Sequence, residues 1–364
     1  MHHPDRNRPP RRAFGTPIHG ILGSRQPHAH YGVIPLLYAQ AMDGELSHGL
    51  PWLTTSGNRI VGADTGVVAV LRGVNRSGLE YSEPDEQGFL SAAAICRSEI
   101  QTIVREWGAN IIRLPFNQDW VLNGRGGWTA EAYRAALDQV IKWASAFGAY
   151  TLLDLQWLDA DHPYGGERNF VAPLPNSQSV ELWNLLATRY RDEPAVLYDI
   201  FNEPHDRLPD DPYPLNREDG TAYPAGQFRV RMGEWQPWAR ALIGAIRDRN
   251  PDALVFVSGV EWGYDLRGMP MDLPRLVYST HVYPARGGDW AGAFGALAAE
   301  VPVFAGEWGG GETDLEWGER LVEYFESLQM GWTAWSWHDN PLIVQRYTPT
   351  SFGQVVRAGL SGKI

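Results

Sequence analysis

Two glutamates in this sequence each follow a short apolar run that is typical of a buried β-strand. Glu203 follows residues 199–202, and Glu307 follows residues 303–306. Cleavage of a glycosidic bond needs two such carboxyl groups, since one protonates the leaving oxygen while the other attacks the sugar or activates water. Either glutamate could instead form an ordinary ion pair at the rim of a fold, so the pair alone leaves the chemistry open.

Polar residues at other predicted strand ends would support this chemistry. Arg113 is a permanent cation that could keep a nucleophilic carboxylate ionised, and Asn202 could hydrogen-bond a sugar hydroxyl. His281 and Tyr283 alternate with Val282, so both side chains are expected on the same side of their strand. The phenol could hold the nucleophile, and the imidazole could place the acid. The alternative for each is a buried side chain hydrogen-bonded to a backbone carbonyl.

The chain is rich in aromatic residues, with 16 Trp, 15 Tyr and 12 Phe. Aromatic rings build cores, and they also stack on the weakly polar faces of sugars. Six tryptophans at or near predicted strand ends could act in either way: Trp120, Trp157, Trp262, Trp308, Trp335 and Trp337. We expect Trp335 to face the site and Trp337 to lie in the core.

The elements that must position these residues are eight apolar runs rich in β-branched residues, as expected for strands covered on both faces. They occupy residues 67–71, 110–114, 151–155, 196–201, 254–257, 276–279, 301–304 and 331–335. Helical periods lie between them, including one from Tyr133 to Val140 with Thr129 as N-cap and Gly148 as stop. Eight such strands predict an α/β fold, a single (β/α)8 barrel. An open doubly wound sheet is the rival, but the sequence lacks its Gly-rich phosphate turn.

Charged or amide residues end nearly every predicted strand: Arg113, Asp154, Gln156, Asn202, Glu203, His281 and Glu307. In a (β/α)8 barrel this end of the strands carries the active site. The Asp-, Pro- and Gly-rich segment from His205 to Gln227 is expected to be a long irregular loop over the same face.

Composition excludes several classes of protein. With 31 Lys and Arg against 43 Asp and Glu, the net charge is −12, which argues against a nucleic-acid partner. No apolar run approaches the roughly 18 residues that span a bilayer, so no membrane partner is expected. Cys96 is the single cysteine, which excludes an intrachain disulfide and a thiolate-built zinc site. We expect a monomer.

The first 48 residues differ from the rest of the chain. Residues 1–30 hold five Arg and one acidic residue, and this basic composition predicts a disordered tail ahead of a catalytic domain at 49–364. Apolar residues 32–38 precede a small-x-small triplet at 39–41, as in a secretory signal. Secretion is one interpretation, and an extension of a cytoplasmic protein that only resembles a signal is the other.

Six motifs resemble, in order, those of glycoside hydrolase family 5. They are Leu-Arg-Gly-Val-Asn at 71–75, Ile-Arg-Leu-Pro at 112–115, Ile-Phe-Asn-Glu-Pro-His at 200–205, His-Val-Tyr at 281–283, Gly-Glu-Trp-Gly at 306–309 and Trp-Ser-Trp at 335–337. The resemblance implies a retaining mechanism without metal or cofactor, in which Glu203 is the acid/base and Glu307 the nucleophile. It also implies a shell around the cleavage point: Arg113, Asn202, His281, Tyr283 and Trp335.

One position departs from the family pattern. Many members have Asp-Leu-His-Trp after the third strand, whereas this chain has Asp-Leu-Gln-Trp at 154–157. Gln156 can hydrogen-bond a hydroxyl, but it cannot take up a proton or a charge, so it could alter substrate preference or slow the enzyme. Gln156 and Trp157 are both predicted to contact substrate.

Three hypotheses follow, and the first is an endo-β-1,4-glucanase that acts on a β-linked oligo- or polysaccharide by double displacement. The second keeps the mechanism but changes the substrate to β-mannan, xylan, β-1,3-glucan or a glycolipid. The third is a carbohydrate-binding barrel that has lost catalysis. For the first two, we expect the Glu307 carboxylate to raise the pKa of Glu203, and this effect to vanish when Glu307 becomes esterified.

Overall fold

The computed structural model describes residues 49–159, 171–208 and 213–363. The predicted tail, with its export segment, lies outside these residues. In the described parts of the predicted loop from His205 to Gln227, the backbone is irregular apart from an isolated bridge between Asn216 and Ala222.

Eight parallel strands close into a barrel in chain order. They are β3 (Arg72–Asn75), β4 (Ile111–Asn117), β5 (Tyr150–Trp157), β6 (Val196–Asp199), β7 (Val255–Ser258), β8 (Leu276–Val282), β9 (Val303–Trp308) and β10 (Gly331–Ala334). An antiparallel hairpin precedes them, β1 (Leu53–Ser56) and β2 (Arg59–Gly62), and a short one follows, β11 (Val344–Gln345) and β12 (Thr348–Pro349). The predicted (β/α)8 barrel is confirmed.

The first barrel strand begins at Arg72, so the prediction of a strand at residues 67–71 was wrong. The extended backbone of that run pairs with the N-terminal hairpin instead: Val68 bridges Val61, and the Ala69 amide donates to the Ile60 carbonyl at 2.9 Å. Val67 and Val68 are 36% and 37% exposed, which a strand inside the barrel wall would not allow. The other seven predicted runs overlap the observed strands.

Eight helices accompany the strands among the described residues. They are α1 (Phe89–Ala92), α2 (Arg97–Gln101), α3 (Gln118–Asn123), α4 (Ala130–Phe147), α5 (Ser177–Arg189), α6 (Met232–Arg247), α7 (Leu315–Ser327) and α8 (Ser351–Leu360). As predicted, α4 begins after Thr129, whose side chain caps the Ala132 amide, and ends at Gly148 with a φ of 99°. The α/β alternation is incomplete, because no α-helix lies between β7 and β8, or between β8 and β9.

The barrel interior has an apolar floor and a polar upper layer. Leu152, Leu197 and Phe256 belong to one buried cluster, which the hairpin residues Leu53 and Ile60 complete from below. Two residues further along the same strands, the same face carries buried polar side chains: Asp154, Asp199 and Ser258. The fold therefore places a polar layer above an apolar one, at the end of the strands where the site is expected.

No helix in the described part of the chain is long and apolar enough to cross a membrane.

Candidate active site

Glu203 and Glu307 meet at the carboxyl ends of the barrel strands. Glu307 lies on β9, and Glu203 follows β6 by four residues. One carboxylate oxygen of each lies within 4.8 Å of the other and of a His281 ring nitrogen. The two glutamates that end predicted strands therefore lie beside each other. The spacing fits the separation of about 5 Å found in retaining glycosidases rather than the wider gap of inverting ones.

Two donors hold the Glu307 carboxylate. Arg113 Nη1 donates to Oε1 at 2.8 Å, and the Tyr283 hydroxyl donates to Oε2 at 2.7 Å. The register between β8 and β9 shifts after Thr280, which sets His281 opposite Glu307. Both hydrogen bonds fix the orientation of the carboxylate, as a nucleophile requires.

Arg113 is fully buried and joins four strands or strand ends. Its guanidinium donates to Asn75, Asp199, Asn202 and Glu307, and it forms an ion pair with Asp154 at 2.9 Å. One cation thus faces three carboxylates. Burial raises the pKa of Asp154 well above its usual value and raises that of Asp199, although Arg113 acts in the opposite direction.

Replacement of Arg113 by Ala is expected to lower the free energy of unfolding by about 3–5 kcal/mol at neutral pH, because it leaves buried carboxylates without a counter-ion. The loss should shrink as the pH is lowered from neutral, since protonation neutralises those carboxylates, whose pKa values burial raises. Urea denaturation of both proteins at neutral and at lower pH measures the effect. A loss that does not change with pH would contradict the explanation.

The Glu203 carboxylate lies in a different environment. His281 Nδ1 is 2.8 Å from its Oε1, and the side chain keeps 19% of its surface exposed. Burial raises the pKa of Glu203 to about 7, with Arg286 and Arg113 acting in the opposite direction. The predicted cause of this rise, the Glu307 charge, was wrong, since desolvation produces it. Burial also lowers the pKa of His281 to about 4, so the imidazole is neutral and its Nδ1 can donate to the Glu203 carboxylate.

A backbone position fixes the His281 ring. Gly263 has a φ of +75°, and a β-carbon there would lie 2.8 Å from the ring. The two preceding residues, Glu261 and Trp262, also have positive φ values of 56° and 61°. This strained turn lets the chain pass closely over His281 and directs Trp262 towards the site.

The two carboxylates open into a cavity of about 560 Å³. Its lining includes predicted site residues, namely Gln156, Trp157, Glu203, Trp262, Tyr283, Glu307 and Trp335. The Gln156 side-chain oxygen is buried and has no hydrogen-bond partner among the described residues. The Asn202 side-chain oxygen accepts from Arg113, which leaves its amide protons for another acceptor.

The tryptophans divide between the cavity and the core. Trp335 lines the cavity with its Nε1 donating to the Asn340 carbonyl at 2.9 Å, and Trp262 stacks on His205 with ring centroids 3.6 Å apart. Trp120 and Trp308 are 1% and 0% exposed, so of their two possible roles they take the one in the core. Trp337 lies in the core, as predicted, and donates to Glu99 at 3.1 Å.

Sequence reasoning missed several residues of the site. Asn75 donates to the Gly306 carbonyl at 3.0 Å and accepts from Arg113, and its place at the end of β3 was the available signal. Glu80, Arg286 and Asp339 line the cavity from loops, where no periodic pattern marks them. Burial raises the pKa of Glu80 to about 8.

Glu203, His281 and Glu307 form a group close enough to hold a metal ion. Their chemistry fits a cation poorly, because both Glu307 oxygens accept hydrogen bonds and His281 Nδ1 is directed at Glu203. The Arg113 guanidinium beside Glu307 would also repel a metal ion. The arrangement suits an acid and a nucleophile on opposite sides of a bond to be cleaved.

Comparison with known proteins places the chain among cellulases. A sequence model of the cellulase family, glycosyl hydrolase family 5, matches residues 74–341. An endoglucanase of Paenibacillus polymyxa is 25% identical over 340 residues, which cover 79% of each chain. Endoglucanase E-5 of Thermobifida fusca is 22% identical over 293 residues, and the match spans 74% of this chain but 52% of that relative. The chain thus spans about half the length of the second relative.

Solved structures show the same fold. The β-glucanase SdGluc5_26A from Saccharophagus degradans superposes with a TM-score of 0.68 at 21% sequence identity, covering 86% of this chain and 94% of that one. The same β-glucanase in complex with cellotetraose gives a TM-score of 0.67 at 22% identity, with the same coverage.

Proposed function

The chain belongs to glycosyl hydrolase family 5 and is an O-glycosyl hydrolase, and we propose that it is a retaining endo-β-1,4-glucanase acting on β-linked glucan. The observation that carries this proposal is the close approach of Glu203 and Glu307, whose carboxylates have different partners. Glu307 accepts hydrogen bonds from Arg113 and Tyr283, whereas burial raises the pKa of Glu203 to about 7.

In the first step of the proposed mechanism, Glu307 attacks the anomeric carbon from one face of the sugar. Glu203 protonates the leaving oxygen on the other face, so the glycosidic bond breaks as the glycosyl–enzyme ester forms. Arg113 and Tyr283 orient the Glu307 oxygens for this attack. His281 keeps the Glu203 carboxyl directed towards the leaving group.

In the second step, Glu203 acts as a base. It takes a proton from water, and the oxygen of that water attacks the anomeric carbon and displaces the Glu307 carboxylate. Attack from opposite faces in the two steps restores the original β configuration. His281, as a neutral donor, stabilises the carboxylate form of Glu203 that this step requires.

The proposed substrate is a cellulose-like chain. Relatives are named endoglucanases, and a β-glucanase with the same fold binds cellotetraose. Trp335, Trp157 and Trp262 offer aromatic surface to sugar rings, and the Gln156 oxygen can accept from a hydroxyl. These contacts would also suit β-mannan, xylan, β-1,3-glucan or a glycolipid. The choice of β-1,4-glucan therefore rests on the relatives, which are named endoglucanases.

A panel of soluble polysaccharides tests the proposal. We expect β-1,4-glucan to give the highest rate of reducing-end release, with viscosity falling early because cleavage is internal. Slow viscosity loss would indicate exo action. A higher rate on mannan, xylan or β-1,3-glucan would identify that polymer as the substrate instead. Binding of a polymer without release of product would support the hypothesis of a carbohydrate-binding barrel that has lost catalysis.

The pH profile should report the acid/base. Because Glu203 must be protonated to assist the leaving group and burial raises its pKa to about 7, we expect kcat/KM to fall as the pH rises through about 7. An unshifted glutamate would lose its proton near pH 4.3 and would make the enzyme acidophilic. Initial rates on a soluble glucan between about pH 4 and about pH 9 measure the profile. A descending limb below pH 5 would contradict the assignment.

We further propose that the protein acts as an exported monomer, because a polymeric substrate lies outside the cell. The segment at residues 32–41 would direct export. N-terminal sequencing of protein recovered from the culture medium tests this, and size-exclusion chromatography with light scattering tests the monomer.

A further inference from the structure

Arg286 is a cation in the cavity wall that the proposed reaction does not use. It ends a single helical turn, Pro284–Arg286, directly after β8 and Tyr283. The side chain is half-buried and lines the same cavity as Glu203 and Glu307. The strand that positions His281 and Tyr283 therefore also places this guanidinium beside the substrate.

The guanidinium lies near Glu203, because both line the same cavity and the charge of Arg286 acts on the Glu203 carboxyl. Among the charges that act on the Glu203 carboxyl, Arg286 lowers its pKa most, ahead of the buried Arg113. Arg286 also lowers the pKa of His205, which stacks on Trp262 in the cavity wall. Because the general acid stands beside the leaving oxygen, the part of the cavity near Glu203 receives the leaving part of the substrate.

No carboxylate or carbonyl of the part of the chain that the structure describes pairs with Arg286. Arg113, the other cation of the site, is engaged on all of its nitrogens. Acidic side chains line another part of the cavity, where Glu80 and Asp339 lie near enough for Asp339 to raise the pKa of Glu80. The cavity thus has acidic side chains in one part and, in another, a half-buried guanidinium that pairs with no carboxylate or carbonyl of residues 49–159, 171–208 and 213–363.

We propose that Arg286 forms a subsite for an acidic sugar on the leaving-group side, where its guanidinium binds a carboxylate carried by the β-linked chain. A planar guanidinium matches a carboxylate in a two-point contact and remains charged at every working pH. The Asp339 carboxylate in the other part of the cavity would repel the same group, which favours the Arg286 end for an acidic residue. This inference rests on the proposed function, because Glu203 defines the leaving-group side.

The test compares carboxymethylated with hydroxyethylated β-1,4-glucan of equal substitution. In Arg286→Gln, we expect the kcat/KM ratio of the acidic to the neutral polymer to fall about tenfold, the scale of one charge-assisted contact. Arg286→Lys keeps the charge, so its kcat/KM ratio should fall by less than about threefold, which is half of the tenfold effect on a logarithmic scale. The ratio removes any effect of the variants on Glu203 itself. Arg320→Gln, an exposed arginine on α7, is the matched control and should leave the ratio unchanged.

Salt gives a second readout, since the wild-type ratio should fall between about 20 mM and about 500 mM salt while that of Arg286→Gln stays flat. Equal losses on both polymers, or no loss on either, would overturn the proposal. Wild-type protein inactive on both polymers would overturn the proposed function instead. Calorimetric titration of Glu203→Gln with a cello-oligosaccharide oxidised to the C6 carboxylate would then still decide, because Arg286→Gln in that background must weaken binding if the subsite exists.

Discussion

Glu307→Gly is expected to reduce kcat on soluble glucan by between about 10⁴- and about 10⁶-fold, the range seen when a covalent nucleophile is removed. The reason is structural. Among the described residues, Glu307 is the one carboxylate that accepts from both Arg113 and Tyr283. Glycine also leaves a space where Oε1 and Oε2 were. Azide entering this space should attack an activated aryl β-cellobioside and release α-cellobiosyl azide.

The configuration of that azide makes the experiment decisive. Attack from the position of the lost carboxylate inverts the sugar once and gives the α product, which NMR of the isolated azide identifies. Glu312→Gly removes an exposed glutamate five residues further along and is the matched control, with activity expected to be unchanged. Unchanged activity in Glu307→Gly, or rescue that yields only the β-azide, would contradict the assignment.

Glu203→Ala is expected to give the second largest effect, a loss of about 10²- to about 10⁴-fold in kcat/KM on glucan, as for removal of a general acid. A dinitrophenyl β-cellobioside, whose leaving group needs little protonation, should form the glycosyl–enzyme at nearly the original rate. Hydrolysis of that ester then becomes slow because no base activates water. Stopped-flow measurements should therefore show a burst of dinitrophenol followed by slow turnover.

Azide should accelerate the slow phase of Glu203→Ala and give the β-cellobiosyl azide, opposite to the product from Glu307→Gly. The descending limb of the pH profile near pH 7 should disappear, since burial of Glu203 is its cause. Glu218→Ala, at an exposed position, is the control. If kcat/KM fell equally for the aryl glycoside and for glucan, the role of Glu203 as acid would be contradicted.

Much of the barrel could be predicted because its signal is local. Seven strands coincide with apolar runs, and α4 is bounded by a capping Thr129 and a left-handed Gly148 that act within one turn. The first strand was misplaced because the β-branched run before it pairs with a hairpin, and the choice between these partners depends on the tertiary fold. Propensity alone cannot separate the two arrangements.

The candidate site divides in the same way. Glu203, Glu307, His281 and Tyr283 could be found because each lies at or just beyond a strand end, where the fold dictates the direction of the side chain. The cause of the Glu203 pKa shift could not be found, because sequence shows which charges are present but not how far a carboxyl is desolvated. Arg286 ends a single helical turn beyond a strand, and only the folded structure shows that no residue in the described part of the chain pairs with it.

Trapping the covalent intermediate tests the central claim, that Glu307 forms an ester with the sugar while Glu203 transfers protons. A 2-deoxy-2-fluoro-β-cellobioside with an activated leaving group slows both steps and lets the ester accumulate. Mass spectrometry of the intact and protease-digested protein should show one added fluorocellobiosyl group, located on Glu307. A label on Glu203, or release of the leaving group without any labelled protein, would contradict the proposed mechanism.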